Sequence, residues 1–228
     1  VFYLINTCLI PHLGVERTLW KWVSEFPDKV VVFNNLTKEG FINSHGEALD
    51  YLVQNFVHTP YILVMDYDTE IVAPTAFWST VFYHVHIGTD IVAFHTPLSY
   101  AHPLASLYRV TSDVLSVGFR FRGEEAVTEE ARRGRRYFFS LRGYQREYVE
   151  ESRRLVYDVG EALYFHAFGR SRRIAWAPGF VYHHWAVSYW LTYRTYYDEL
   201  TNREYEWGIV PQKLKPRYTP AKYLDYNL

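Results

Sequence analysis

The sequence has very little cysteine: Cys8 stands alone, so no disulfide can form within the chain. Nor does any apolar run reach the roughly 20 residues that a membrane-spanning helix needs. A surplus of charge is also missing. The net charge is −1 and the pI about 6.9, so no global field favours a polyanion, and nucleic acid is not an expected partner. Val1 to Ile5 are apolar but have no basic residues ahead of them, and they read better as a first strand than as a secretory leader. There is no internal repeat. These absences lead to the expectation of a cytoplasmic protein without a transmembrane segment.

What the chain does have is length and aromatic side chains. Its 228 residues suffice for one domain with a small appendage. Aromatics make up 19% of the residues, and the 21 tyrosines crowd the second half. Such surfaces suit sugar stacking, a lipid interface or subunit packing.

The first hundred residues alternate in character. Val1 to Asn6 reads as a strand, and Val15, Leu19, Val23 and Phe26 then recur at helical spacing. Val30 to Phe33 reads as a second strand, closed by the turn-prone pair Asn34-Asn35. Ser44-His45-Gly46-Glu47 has the spacing of a capping box, ahead of a helix whose apolar face is Ala48, Leu49, Leu52, Val53 and Phe56. A strand from Tyr61, a helix from Pro74 to about His86 and a strand from Asp90 to His95 follow. Alternation of this kind predicts a parallel sheet flanked by helices. Beyond Thr96 the rhythm changes. Residues 101–117 hold short apolar segments, and Arg122 to Arg136 carries nine charges with Gly123 and Gly134 as breaks, which reads as a solvated surface excursion or a lid. A helix is expected from Asp158 to near Gly169, then short strands at Arg173 to Ala177 and Phe180 to His184. Tyr189, Tyr193, Tyr196 and Leu200 form a stripe suited to core packing or a homo-oligomer interface, and the last stretch, with Pro211, Pro216 and Pro220, should lack regular structure.

The richest chemistry lies at Asp66-Tyr67-Asp68, where the apolar run from Tyr61 to Met65 ends in two acids one residue apart. In open α/β sheets ligands bind beyond the carboxyl ends of the strands. Two carboxylates there suit Mg²⁺ or Mn²⁺, which take oxygen ligands and share them with substrate phosphate. The alternative is a pair of solvated loop acids.

Four features in order resemble the nucleotide-sugar glycosyltransferases of the GT-A fold, nearest to the family-two type. These are a first strand ending in Asn6-Thr7, the segment from Asn43 to Asp50, the strand-borne Asp66-Tyr67-Asp68, and Asp158-Val159-Gly160 followed by His183-His184. The resemblance covers residues 1–187. It implies a Rossmann-like, mostly parallel sheet, with a nucleotide-sugar half at 1–96, an acceptor half at 97–187 and a C-terminal extension at 188–228. It also implies a UDP- or GDP-sugar donor, an acceptor that is a saccharide, lipid or protein, and inverting transfer. Asp66 and Asp68 match the metal-binding acids, Asp68 the more direct ligand, and His183 or His184 the histidine that completes a Mn²⁺ or Mg²⁺ site. Asp66 can also face the ribose. The general base matches Asp158 or Glu161, because Asp-Val-Gly-Glu stands where the family often has Glu-Asp. The same two residues have the spacing of a helix cap. Asn6, Thr7, Asn34 and Asn35 are candidates for nucleotide contacts. So are the backbone amides at His45-Gly46, where glycine would permit close approach.

Two rivals are weighed. A phosphohydrolase of the haloacid dehalogenase type also carries Asp-x-Asp after a strand, but expects Thr or Val where Glu70 stands, and its downstream paired aspartates are missing. The other rival is a GT-A-like domain that binds a nucleotide sugar, or a second subunit, without turnover.

Overall fold

The computed structural model describes residues 2–6, 13–34, 45–66, 69–95, 100–141, 157–170 and 172–183. The chain divides into two compact units, Val1–Asn43 with His184–Leu228, and Ser44–His183. In the first, β1 (Phe2–Asn6) and β2 (Val30–Asn34) pair in parallel and are linked through α1 (Leu13–Glu25), a β-α-β arrangement. Asn6 and Asn34 stand opposite each other at the ends of the two strands.

The second unit opens with α2 (His45–Asn55), β3 (Tyr61–Met65), β4 (Thr69–Ile71), α3 (Pro74–Ile87) and β5 (Ile91–Ala93). It continues with β6 (Ala105–Arg109), α4 (Ser112–Val117), α5 (Glu129–Leu141), α6 (Glu161–Gly169), β7 (Ile174–Trp176) and β8 (Val181–His183). The elements expected between residues 45 and 95 and between 158 and 183 occur within a few residues of their expected bounds. Pro74 occupies the first turn of α3, where its missing N–H costs nothing. Among the described residues no helix is long and apolar enough to cross a membrane.

The sheet corrects the expectation of a mostly parallel one. Its order is β3-β6-β5-β7, and β6 runs antiparallel to both its neighbours while β5 and β7 run parallel. The link from Ala93 to Ala105 is too short for the crossover helix that a parallel return needs, usually a dozen residues or more. The fold is thus mixed α/β. Alternate residues of each strand feed two cores. Val64, Ile91, Ala93 and Tyr108 belong to one core, with α4, α5 and α6 above it, and Val92, Ala105 and Leu107 to the other, with Phe77 and Val81 of α3. Contact with a core on each face, Ile62 and Val64 on one and Tyr61, Leu63 and Met65 on the other, is the reason that Tyr61 to Met65 reads as an unbroken apolar run.

The second correction concerns Arg122 to Arg136. Most of this stretch is the start of α5, whose Ala131, Gly134, Arg135, Phe138 and Phe139 form one buried face at helical spacing. The charges fill the other face. Gly134 is no break: a Cβ there would collide with the Phe165 carbonyl oxygen, so the glycine lets α5 and α6 cross at backbone distance. The tyrosine stripe and the prolines from Ser188 onward lie outside the described residues.

Candidate functional site

The site grows from the carboxyl end of β3. Asp66 follows the strand directly, and its N–H donates to Leu104 O at 2.9 Å, tying it to the entrance of β6. Its own carbonyl accepts the Thr69 N–H at 3.1 Å and the Thr69 hydroxyl at the start of β4. Thr69 in turn pairs with His183 across the β4–β8 ladder. On the other side His45, the first residue of α2, brings Nε2 to 3.4 Å from Asp66 Oδ1; both side chains keep some exposure, 38% and 24%. Asp66, His45 and His183 therefore share one strand end.

A run of backbone contacts joins this end to the second acid. Asp50, one turn into α2 and buried, accepts the Phe119 N–H at 2.6 Å and Arg120 Nε at 2.9 Å. Phe119 O then accepts the Gly160 N–H at 2.8 Å, which holds the Asp158 loop. The room left by Gly46 is taken here. A Cβ on Gly46 would lie 2.5 Å from Phe119 O and from Arg120 Cα, so the expected close approach is made by the protein's own backbone rather than by a ligand. That is a correction to the role given to Gly46.

The structure also separates the two candidate bases. Asp158 Oδ2 accepts a hydrogen bond from the Tyr100 hydroxyl at 3.1 Å, and Oδ1 accepts the Val159 N–H at 2.7 Å. Burial, with the Asp158 carboxylate beside it, pushes the Tyr100 phenol far up, so it stays a donor. Glu161 is engaged differently. Its Oε2 accepts the Asp158 N–H at 2.8 Å, and its Oε1 lies 3.1 Å from Arg135 Nη2, both side chains being only 7% exposed. The Arg135 guanidinium lies over the Tyr157 ring at 4.3 Å. Burial pushes the Glu161 carboxyl up, opposed by Arg135 and by the Asp158 N–H. With both oxygens committed and the group buried, Glu161 anchors the Asp158 loop. Only half of the expected capping box forms: Glu161 reaches back to Asp158, but Gly160 occupies the cap position, and the Asp158 side chain accepts the Val159 N–H while the Glu161 N–H goes to the Asp158 carbonyl.

Two residues of this neighbourhood were not foreseen, Tyr100 and His102. His102 Nδ1 accepts the Leu104 N–H at 3.0 Å, and its ring lies 5.6 Å from that of Tyr100. Burial lowers its pKa to about 4; Asp158 opposes that, while His45, His95 and His183 add to it. Its ring contact with Tyr100, which donates to Asp158, and its bond with Leu104, whose carbonyl accepts the Asp66 N–H, link His102 to both acids. A histidine before proline at the entrance of a strand is the only signal for it in the sequence.

The remaining expected residues stand apart from this description. Asn6 and Asn34 belong to the first unit, while Thr7, Asn35, Asp68 and His184 lie outside the described residues. Among the described residues no group of three or more His, Cys, Asp or Glu is arranged to hold a metal ion. The described donors are the Asp66 carboxylate and the His183 imidazole, one oxygen and one nitrogen, a set acceptable to Mn²⁺. Compared with family models, with curated proteins and with solved structures, the chain matches none.

Proposed function

We propose that this chain is a glycosyltransferase of the GT-A type, which moves a sugar from a UDP- or GDP-sugar to an acceptor hydroxyl with inversion. The observation that carries the reading is that His45 lies 3.4 Å from Asp66 at the end of β3, beside the Thr69–His183 pair, while Tyr100, hydrogen-bonded to Asp158, packs against the ring of His102. Strand ends of this kind are where α/β proteins bind ligands.

The contacts support the following roles. Asp158 is the general base. Each of its oxygens accepts one hydrogen bond, from Tyr100 or Val159, and retains a lone pair for the proton of the acceptor hydroxyl. Tyr100 and Val159 hold the carboxylate in one orientation, and Glu161 with Arg135 holds the loop beneath it. Asp66 and Asp68, with His183 or His184, would hold Mn²⁺ or Mg²⁺. When bound, the ion supplies positive charge against the diphosphate leaving group. Residues 1–96 would serve the donor and 97–187 the acceptor, whether saccharide, lipid or protein, in the cytoplasm.

Calorimetric titration of UDP and of GDP, with and without Mn²⁺, tests the reading on wild type, Asp66→Ala and Asp68→Ala. Manganese-dependent binding of one nucleotide that disappears in both variants is the expected result. Failure of both nucleotides to bind wild type at any metal concentration refutes it.

A further inference from the structure

The ring of His102 is held at one edge and open at the other. Its Nδ1 accepts the Leu104 N–H at 3.0 Å, its main-chain N–H donates to His95 Nε2 at 3.1 Å, and its carbonyl accepts the Ser106 hydroxyl at 2.8 Å. His95 is itself buried, its ring edge-on to Trp176 at 5.4 Å. A nitrogen that accepts from an amide carries no proton, so the neutral ring has its proton on Nε2. Charging the ring would put a proton on Nδ1 and break the Leu104 bond. Burial and the surrounding histidines His45, His95 and His183 act in the same sense, and Asp158 alone opposes them. His102 is therefore a neutral donor at any pH near 7. That donor has no hydrogen bond to any described residue, although Asp158, His45 and His183 all make themselves felt at the ring. Nε2 is not among the buried polar atoms left without a partner, so it reaches solvent, where water or a ligand can accept its proton.

We propose that His102 is a binding residue of this site, whose Nε2–H donates a hydrogen bond to an oxygen of the bound nucleotide sugar. The identity of the ligand rests on the transferase reading, while the tautomer and the open donor rest on the fold alone. A diphosphate oxygen and a sugar hydroxyl share the required chemistry, acceptance from a neutral N–H. The histidine differs from a lysine or arginine in that place: it contributes direction without charge, and so adds nothing to the electrostatic attraction of the diphosphate.

The test uses the full-length protein with ¹⁵N-labelled histidine, followed by NMR from pH 5 to 8. His102, assigned through its loss in His102→Asn, is expected as the neutral Nε2–H tautomer across that range. A charged ring or the Nδ1–H tautomer overturns the inference. UDP, GDP, UDP-glucose and GDP-mannose are then added with Mn²⁺. A shift of the His102 Nε2–H signal with the nucleotide alone points to a phosphate or ribose oxygen, and a shift only with the sugar conjugate points to a sugar hydroxyl. Either supports the inference. The variants divide the two edges of the ring. His102→Asn keeps an acceptor for the Leu104 N–H but loses the outer donor, and should weaken binding by about tenfold, the worth of one hydrogen bond. His102→Gln reaches far enough to restore a donor and should recover most of that loss. Nucleotide binding as tight in His102→Asn as in wild type, with the Nε2–H signal unmoved, defeats the role of His102 and leaves the transferase reading intact. Absence of nucleotide binding by wild type defeats both.

Discussion

The pair formed by Arg135 and Glu161 offers a quantitative test of how the Asp158 loop is held. Arg135 is 6% exposed and Glu161 5%, with 3.1 Å between Nη2 and Oε1. Arg135 Nε and Nη1 are buried without a hydrogen-bond partner, so the ion pair and the Tyr157 ring carry the guanidinium. In Glu161→Leu a guanidinium that cannot lose its proton is left buried and uncompensated, at an expected cost of about 3–5 kcal/mol. In a domain whose whole stability is about 5–15 kcal/mol that is a large share. Arg135→Met behaves differently, because a stranded carboxyl can take up a proton. Burial already raises the Glu161 pKa above its ordinary 4.5, and loss of Arg135 raises it further. The folded state then binds more protons than the unfolded one between the two values. Stability is therefore highest below the unfolded pKa and falls as pH rises through the folded one. The double variant removes both charges and leaves only the Asp158 N–H without its acceptor, a cost of about 1 kcal/mol. Urea denaturation of the four proteins at pH 5 and pH 8 measures all of this. The ordering wild type, double variant, Arg135→Met, Glu161→Leu is expected at pH 5, with Arg135→Met losing stability by pH 8. A Glu161→Leu protein within about 1 kcal/mol of wild type, or a double variant as unstable as the sum of the singles, would refute the buried-pair argument.

Asp158→Asn should lower the rate of sugar transfer by about 10² or more, the usual contribution of a general base, while nucleotide affinity by calorimetry stays within about threefold of wild type. Transfer at a near wild-type rate would remove Asp158 from that role. Gly134→Ala sets two effects against each other: alanine improves helix propensity by about 1 kcal/mol, but its Cβ meets the Phe165 carbonyl oxygen, a backbone atom that cannot move aside without shifting α6. The clash wins, and a net loss of about 1–3 kcal/mol is expected from thermal or urea unfolding. An unchanged or raised stability would mean that the helices do not cross at backbone distance.

Apart from the short β4, the strands and helices up to His95 were legible because each declares itself locally. Apolar runs end at the Asn34-Asn35 pair or at Asp66, Pro27 stops one helix and Pro74 starts another, and helical spacing marks what lies between. Two later elements were not. β6 reads Ala-Ser-Leu-Tyr-Arg, and Ser106 is wholly buried there only because its hydroxyl donates to His102 O. No residue in that run announces a central strand. α5 was hidden by its charges, since one of the arginines that mark a solvated surface is buried by an acid far along the chain, Glu161. Gly134 misled in the same way: a glycine among charges reads as a break, and its use as a helix contact is visible only once α6 lies against it.

The candidate site divides along the same line. Asp66 was legible because the strand before it aims it, so a local pattern and a general rule about strand ends suffice. Tyr100 and His102 were not, since what matters about them is a partner: the hydroxyl of Tyr100 matters through Asp158, and the ring of His102 through the Leu104 amide. Asp158-Val159-Gly160-Glu161 lies between the two cases. Its spacing suits a helix cap and a catalytic acid equally, and no reading of those four residues alone can divide the labour between the carboxylates. The division is made by Arg135, which neutralises Glu161 inside the core and leaves Asp158 facing Tyr100. One arginine on a neighbouring helix thus turns an ambiguous pair of acids into one buried anchor and one carboxylate left outside that ion pair, and its removal should disturb the anchor first.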